Sequence, residues 1–149
     1  MVLREAGRPS GSDSILGTDV SAAALAKAQE GRYGAWSFRR LTEARKSAYF
    51  TPDGSQFVVR PELRALVQFM RHDLIQQQPP GSDFDIVFCR NVMIYFNLSL
   101  QNKVIQKFDQ SLDSGGFLCV GTKESLTWCD VSNRFTLIWD DQKIYKKLE

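Results

Sequence analysis

The segment Phe84–Cys89 places five apolar residues in six positions, and two polar residues, Arg90 and Asn91, follow it directly. A strand of this composition has apolar side chains on both faces, which is typical of a strand at the centre of a parallel sheet. Polar residues that follow such a strand lie at its carboxyl end, where open α/β sheets bind their ligands. The segment therefore predicts an α/β fold, a central position for this strand, and a ligand site near Arg90 and Asn91.

The rest of the chain alternates between predicted strands and helices. Apolar or alternating stretches predict strands over 14–19, 56–59, 67–70, 117–121, 135–139 and 143–145, of which the last two form an antiparallel hairpin. Helices are predicted over 22–30, from Pro61, and from Asn97 to the glycines at 115 and 116. The apolar stripe of the last helix would pack on the sheet and comprises Val104, Ile105, Phe108 and Leu112. This alternation predicts a parallel sheet with helices on both faces.

Composition excludes several functional classes. With 149 residues, 43% of them hydrophobic, the chain can bury one core. Its net charge of +2 comes from scattered residues, which argues against nucleic-acid binding. No apolar run approaches the roughly 20 residues of a membrane span, and residues 1–11 lack the apolar centre of a signal peptide, so a soluble, cytoplasmic protein is expected. Cys89, Cys119 and Cys129 lack metal-ligand spacing, which predicts reduced thiols and no metal site.

Acidic residues follow two other predicted strands. Asp19 ends the strand over 14–19, where a carboxylate can accept hydrogen bonds from both hydroxyls of a ribose, or can instead help to start the next helix. Asp73 follows the strand over 67–70 and can accept an adenine amino group, or can instead stabilise an ordinary turn. We interpret the neighbouring His72 as structural rather than catalytic, since the sequence shows no motif that pairs it with a catalytic group. The residues alone leave these alternatives open.

Four segments in the same order resemble one protein family. FDIVFCRNVMIYFN, residues 84–97, closely resembles the signature of the chemotaxis-receptor methyltransferase (CheR) family, in which a strand ending in CRNV precedes an Ile-Tyr-Phe stretch. LGTDVSAAALAKAQEGRYG, residues 16–34, and LDSGGFLCVGTKESL, residues 112–126, are similar to further segments of that family. The similarity is collinear over most of residues 13–147, which makes chance resemblance a poor explanation.

The resemblance implies an architecture for the whole chain. It implies a Rossmann-like class I methyltransferase sheet that lacks its first strand, a small β-subdomain inserted at about residues 36–60 with a turn at 52–54, and a C-terminal antiparallel hairpin. In the family, a helical domain and a first strand with a glycine-rich turn come earlier, so Met1 is expected to be an internal methionine within a helix that Gly7 ends. We expect the chain alone to bind S-adenosylmethionine weakly and to associate, because strand edges would lack partners, whereas the full-length protein is expected to be a monomer.

The resemblance also assigns cofactor contacts residue by residue. It implies that Asp19 binds the ribose of S-adenosylmethionine, and that Asp73 and Leu74 lie on the adenine side, where the family usually has Asn-Leu. Asn91 and Val92 match residues that meet the cofactor after the fourth strand. An aspartate in place of the asparagine still accepts a hydrogen bond from the adenine amino group.

Two further residues are implied to take part in catalysis. Tyr95 matches a tyrosine near the transferred methyl group, and Arg90 belongs to the same signature. The alternatives are a structural ion pair for Arg90 and core packing for Tyr95. Asn97, where the family usually has Asp, and the segment Gly-Thr-Lys-Glu over 121–124, where it commonly has Gly-His-Ser-Glu, are minor departures.

The function implied is methylation of glutamate side chains on the cytoplasmic helices of chemotaxis receptors, with S-adenosylmethionine as methyl donor and with neither nucleic-acid binding nor membrane insertion. A second interpretation is a truncated, inactive relative that binds a receptor or signalling partner through its β-subdomain. A third, a fragment of a nucleotide-binding dehydrogenase, shares the sheet but gives no reason for the CRNVMIYF segment.

Overall fold

A computed structural model describes residues 1–7 and 13–149, which divide into two compact units, Met1–His72 and Asp73–Glu149. Both units combine helices with strands, which confirms the predicted α/β class. Within the described ranges, no helix is long and apolar enough to cross a membrane. The predicted glycine C-cap in the first helix also holds, since α1 (Val2–Glu5) is followed by Gly7 with φ of 71°.

In the first unit, a parallel strand pair supports one helix. β1 (Ile15–Asp19) pairs with β5 (Val67–Arg71), so the carboxyl ends of both strands lie at the same edge. Between them in sequence, α2 (Ala22–Glu30) begins at Ser21, whose side chain accepts the Ala24 amide at 3.2 Å. It ends at Gly31, whose φ of 63° suits glycine best. These bounds confirm the sequence prediction.

A three-stranded antiparallel sheet follows in the same unit. It comprises β2 (Arg32–Gly34), β3 (Phe50–Asp53) and β4 (Gln56–Val59) in the order β2-β4-β3. A 3₁₀ turn (Ala35–Phe38) and α3 (Glu43–Tyr49) connect β2 to β3, and α4 (Pro61–Arg64) leads to β5.

The small core of this sheet is aromatic. The buried ring of Phe38 packs edge-on against Phe50 and Phe57, with centroids 4.8 and 4.9 Å away. β2 was not predicted, because three residues are too few to show alternation. The predicted turn is displaced, since Pro52 and Asp53 belong to β3 and the chain reverses at Gly54.

The second unit is a four-stranded sheet covered by one long helix. Its strands are β6 (Phe84–Cys89), β7 (Leu112–Val120), β8 (Phe135–Trp139) and β9 (Ile144–Lys147), in the order β6-β7-β9-β8. β6 and β7 are parallel, and β9 runs antiparallel to both β7 and β8, which confirms the predicted hairpin.

α5 (Leu98–Ser111) provides the apolar face that packs in this unit. Asn97 caps it, as predicted, by accepting the Leu100 amide at 3.0 Å. Val104, Ile105 and Phe108 are buried in the core together with residues of β7. The predicted C-terminus was wrong: the helix ends at Ser111, and Leu112 is buried but extended, pairing with Phe84 as the first residue of β7.

The predicted burial of β6 on both faces was also wrong for this chain. Among the described strands, β6 pairs only with β7, so it lies at an edge rather than at the centre. Cys89 is buried, but Phe88 is 71% and Ile86 45% exposed. An apolar composition indicates that a strand is suited to burial. Actual burial also requires a neighbouring strand on its second edge and packing on its second face.

Candidate cofactor site

Asp19 lies at the carboxyl end of β1 and has an exposed side chain. Its Oδ1 accepts a hydrogen bond from the Ser21 amide at 2.8 Å, and its carbonyl accepts from the His72 amide at 3.0 Å. The carboxylate therefore helps to shape the start of α2, as one of the two interpretations expected. This contact engages one carboxylate oxygen, so it is compatible with a ligand contact through the other oxygen.

His72 follows β5 and is buried at 7% exposure. Its amide bond to the Asp19 carbonyl, together with a bond of 3.1 Å from the Arg71 side chain to the Val20 carbonyl, ties the ends of β1 and β5 together. Within the first unit, the residues that follow the two parallel strands are therefore held together at one edge. A structural role for the imidazole stays a prediction.

Asp73 organises a tight turn over residues 73–77, called here the 73–77 turn. Its Oδ1 accepts from the amides of Ile75 and Gln76 at 2.9 and 3.0 Å. The side chain of Gln77 closes the turn by accepting the Asp73 amide at 2.7 Å. The turn-stabilising interpretation is therefore correct for this carboxylate, while the adenine contact stays a prediction.

Lys107 of α5 hydrogen-bonds to the main chain of the 73–77 turn, a role that the sequence did not predict. Its Nζ donates to the carbonyl oxygens of Leu74, Ile75 and Gln77 at 3.0, 2.7 and 2.6 Å. The side chain of Leu74 packs against the core of the same unit. The available signal was weak: Lys107 is adjacent to the apolar stripe of α5, where a lysine stem can cross to a neighbouring segment.

The segment after β6, residues 90–95, is called here the 90–95 loop. Asn91 adopts φ of 60°, a left-handed conformation that asparagine tolerates better than most residues, and a 3₁₀ turn covers Met93–Tyr95. Met93 is buried at 2% exposure and anchors the loop in the core. The loop therefore bends at Asn91 and is anchored in the core two residues later, at Met93.

Glu124 fixes the main chain of this loop and was also missed. The residue is buried at 5% exposure, and its carboxylate accepts hydrogen bonds from the amides of Asn91 at 3.1 Å and Ile94 at 3.2 Å. A third amide, that of Gly121, donates to the same Oε2 as Asn91. The sequence signal was an acid shortly after a buried strand, within the segment over 121–124 that departs from the family pattern.

Gly121 permits the close approach of these groups. A Cβ at this position would lie 2.7 Å from Asn91 Oδ1 and 2.7 Å from Glu124 Oε2. Atoms of this kind do not approach so closely without displacement. Glycine is therefore the residue that lets the ends of the parallel strands β6 and β7 share one carboxylate.

The remaining side chains of the 90–95 loop point outwards. Tyr95 is 82% exposed, which rules out core packing in this chain, and Val92 is 39% exposed. Arg90 is exposed and forms no ion pair with any side chain among residues 1–7 and 13–149, so the structural ion pair is not found there. The loop presents an amide, an apolar group, a guanidinium and a phenol from a main chain that is fixed internally.

The cysteines are free, as predicted, and all three are buried. Burial raises the pKa of the Cys89 thiol to about 12, with a further contribution from the nearby Glu124 charge, and burial also raises the pKa of Cys119 and Cys129. Thiols of this kind are protonated near neutral pH and make poor nucleophiles. Cys89 therefore serves the 90–95 loop as a packed apolar group.

The chain is similar to known proteins of one family. Residues 1–144 match the family described as "CheR methyltransferase, SAM binding domain". Chemotaxis protein methyltransferase Cher2 of Pseudomonas putida is 34% identical over 114 residues, which cover 75% of this chain and 42% of the relative. The chemotaxis protein methyltransferase of Vibrio parahaemolyticus is 34% identical over 138 residues, covering 91% and 50%, and that of Listeria innocua is 36% identical over 112 residues, covering 75% and 42%.

The chain thus spans half or less of the length of these relatives. The matched residues 1–144 nevertheless include the whole first unit, most of the second unit and every predicted site residue. The family's cofactor is S-adenosylmethionine. By this match and these identities, the chain belongs to the CheR methyltransferase family, within its S-adenosylmethionine-binding domain.

Proposed function

We propose that this chain supplies the cofactor-binding and methyl-transfer residues of a protein-glutamate O-methyltransferase that acts on the cytoplasmic helices of chemotaxis receptors. Membership of the CheR family supports the reaction class, and the names of the relatives associate that class with chemotaxis. Glutamate as the acceptor and receptors as the partners are the finer part of the proposal.

The observation that carries the proposal is the 90–95 loop. Its main chain is held by the buried Glu124, while the side chains of Asn91, Val92 and Tyr95 are exposed at the carboxyl end of a parallel strand. Exposed polar and aromatic groups on a fixed main chain are what a binding site requires, since little order must be created when the ligand arrives. We assign Asn91 and Val92 to the cofactor, and Tyr95 and Arg90 to the reacting groups.

Further cofactor contacts are assigned to the ends of other strands. Asp19 would accept hydrogen bonds from the ribose hydroxyls through the carboxylate oxygen that does not bind the Ser21 amide. Asp73 and Leu74 would lie on the adenine side, presented by the 73–77 turn. In this assignment Asp73 acts chiefly by shaping the turn, because its Oδ1 already accepts two main-chain amides.

Methyl transfer requires the protein mainly to align the reacting groups. When bound, the sulfonium cofactor would supply an activated methyl group: a carboxylate oxygen would take the methyl as the methyl–sulfur bond breaks, leaving the neutral thioether S-adenosylhomocysteine. A glutamate carboxylate in water has a pKa of about 4.3 and is already ionised at neutral pH, so no general base is required. The residues of the 90–95 loop would orient the acceptor and limit the access of water, and orientation alone can contribute about 7 to 11 kcal/mol at the extreme.

The experiment is a transfer assay with S-adenosylmethionine labelled in its methyl group and receptor cytoplasmic fragments as acceptors. We expect label in the fragments that base releases as methanol, as a carboxyl methyl ester requires. Fragments with the acceptor glutamates replaced by glutamine are the matched control and should stay unlabelled. The assay should be run with this chain and with a version extended by any upstream residues of its gene.

The outcome separates the proposal from the binding-module interpretation. Absence of labelling by both proteins, combined with retention of receptor fragments on the immobilised chain, would favour a module that binds without methyl transfer. Label that resists base would contradict carboxyl methylation while leaving methyl transfer itself intact.

A further inference from the structure

The carboxylate of Glu124 is buried and receives three main-chain amides. Asn91 and Gly121 donate to Oε2, and Ile94 donates to Oε1. Because Glu124 is only 5% exposed, little water can replace these donors. A buried charge without such donors would be strongly destabilising, so the three amides and the carboxylate depend on each other.

These three amides come from two different segments. Asn91 and Ile94 belong to the 90–95 loop after β6, and Gly121 follows the parallel strand β7. The carboxylate therefore joins the carboxyl ends of two adjacent strands, and it fixes the loop both where it leaves β6 and three residues later. In between, the backbone makes its left-handed bend at Asn91.

We propose that Glu124 is a positioning residue for the cofactor: its carboxylate sets the course of the 90–95 loop so that Asn91 and Val92 are presented before the ligand binds. The proposal rests on the assignment of Asn91 and Val92 to the cofactor. Glu124 itself has no contact with the ligand in this scheme, because both of its oxygens face main-chain amides.

Glutamine at this position provides a sensitive test. Glu124→Gln keeps the length of the side chain but offers only one acceptor oxygen, so its NH₂ group must face at least one amide that formerly donated to an oxygen. Glu124→Asp keeps the charge on a shorter side chain and should restore part of the effect. Asp109→Asn is the matched control, since Asp109 is also buried at 5% but pairs with Arg134 at 3.2 Å and Lys147 at 3.7 Å instead of the loop.

The first measurement is amide hydrogen exchange on the full 149-residue chain. In Glu124→Gln, we expect protection of the Asn91, Ile94 and Gly121 amides to fall by about tenfold or more, with α5 amides unchanged. Asp109→Asn should leave the three amides protected. An equal loss of protection across α5 and β7 in Glu124→Gln would show that the carboxylate supports the unit as a whole, and would overturn a positioning role. If Glu124→Gln fails to fold, Glu124→Asp makes the same comparison.

The second measurement is the dissociation constant for S-adenosylmethionine, by calorimetry on whichever form of the protein, this chain or its upstream extension, binds the cofactor. We expect Glu124→Gln to weaken binding by about tenfold or more, Glu124→Asp to weaken it less, and Asp109→Asn to stay within about twofold. Unchanged affinity in Glu124→Gln, with loop protection lost, would overturn the proposal and leave the proposed function standing. Absence of binding by both wild-type forms would instead refute the proposed function, and with it the cofactor role of Glu124.

Discussion

The ammonium nitrogen of Lys107 lies 2.7 Å from the carbonyl oxygen of Ile75, so a helix residue holds the turn that presents Asp73 and Leu74. The same nitrogen also donates to the carbonyls of Leu74 and Gln77. A cation bound to three carbonyls of one turn restricts that turn without using any of its side chains. In the second unit, the two segments assigned to the cofactor are therefore each fixed by one charged side chain.

Replacement of Lys107 by methionine should loosen the 73–77 turn. The methionine keeps most of the apolar stem but loses three charge-assisted hydrogen bonds, so the free energy of unfolding should fall by about 1 to 3 kcal/mol. Urea unfolding of the purified chain measures this loss. Lys103→Met, on the exposed side of the same helix, is the control and should change stability by less than about 0.5 kcal/mol. Equal effects of the two substitutions would contradict the role of Lys107.

Two substitutions of Asp19 distinguish a ribose contact from helix capping. Asp19→Asn retains an oxygen for the Ser21 amide but replaces an acceptor with a donor, so cofactor affinity should fall by about tenfold while stability changes little. Asp19→Ala should lower both the cofactor affinity and the stability of the chain. Asp53→Asn, which affects a surface ion pair with Arg32, serves as control. Unchanged affinity in Asp19→Asn, measured by calorimetry, would leave only the capping role.

Tyr95→Phe tests the assignment of the phenol to the reacting groups. Because the side chain is 82% exposed, loss of its hydroxyl should leave the unfolding midpoint unchanged. The rate of methyl transfer should fall by about tenfold, corresponding to about 1.4 kcal/mol in the barrier. Trp128→Phe, at a position that is 79% exposed in the same unit, is the matched aromatic control. A wild-type transfer rate in Tyr95→Phe would remove the hydroxyl from the mechanism.

Gly121→Ala should disturb the meeting point of the two strand ends. The new methyl group would lie 2.7 Å from both Asn91 Oδ1 and Glu124 Oε2, and relief of such overlaps costs about 1 to 3 kcal/mol. Gly34→Ala is the control, because a Cβ at this position would have no atom of the described residues within 4 Å beyond its chain neighbours, and its φ is −77°. Thermal unfolding of both variants should show a marked loss only for Gly121→Ala.

The raised pKa of Cys89 predicts a pH dependence in the alkaline range. The folded chain holds this thiol protonated up to about pH 12, whereas the unfolded thiol ionises near its ordinary value of 9.0. Stability should therefore be independent of this group below about pH 9 and fall as the pH rises from about 9 towards 12. Cys89→Ala should lessen that slope in urea titrations at several pH values, and an unaltered slope would contradict the assignment.

Much of the fold followed from local patterns. The bounds of α2 were predictable because Ser21 and Gly31 are strong end signals, and the hairpin of β8 and β9 was predictable from alternation. β2 was not predicted because a three-residue strand is too short to show an alternating pattern of apolar residues. The end of α5 was misplaced because Leu112 continues the apolar stripe of the helix while adopting an extended conformation.

For the candidate site, the sequence indicated residues that could face a ligand but not those that hold them. The polar residues after strands, such as Asp19 and Asn91, are visible because strand ends are predictable. Lys107 acts on main-chain groups 30 to 33 positions away, and Glu124 acts on the amides of the 90–95 loop over the same separation; such contacts leave no local pattern. Side-chain capping by Asp73 was foreseen as an alternative because aspartate commonly does so in turns.

Glu124 fixes the 90–95 loop through hydrogen bonds from main-chain N–H groups, which every residue type except proline possesses. The outward side chains at 92 and 95 are therefore interchangeable without altering the backbone beneath them, whereas proline at 91 or 94 would delete a donor. A lineage could thus vary what the loop displays, and with it the molecules it accepts, while keeping the same scaffold.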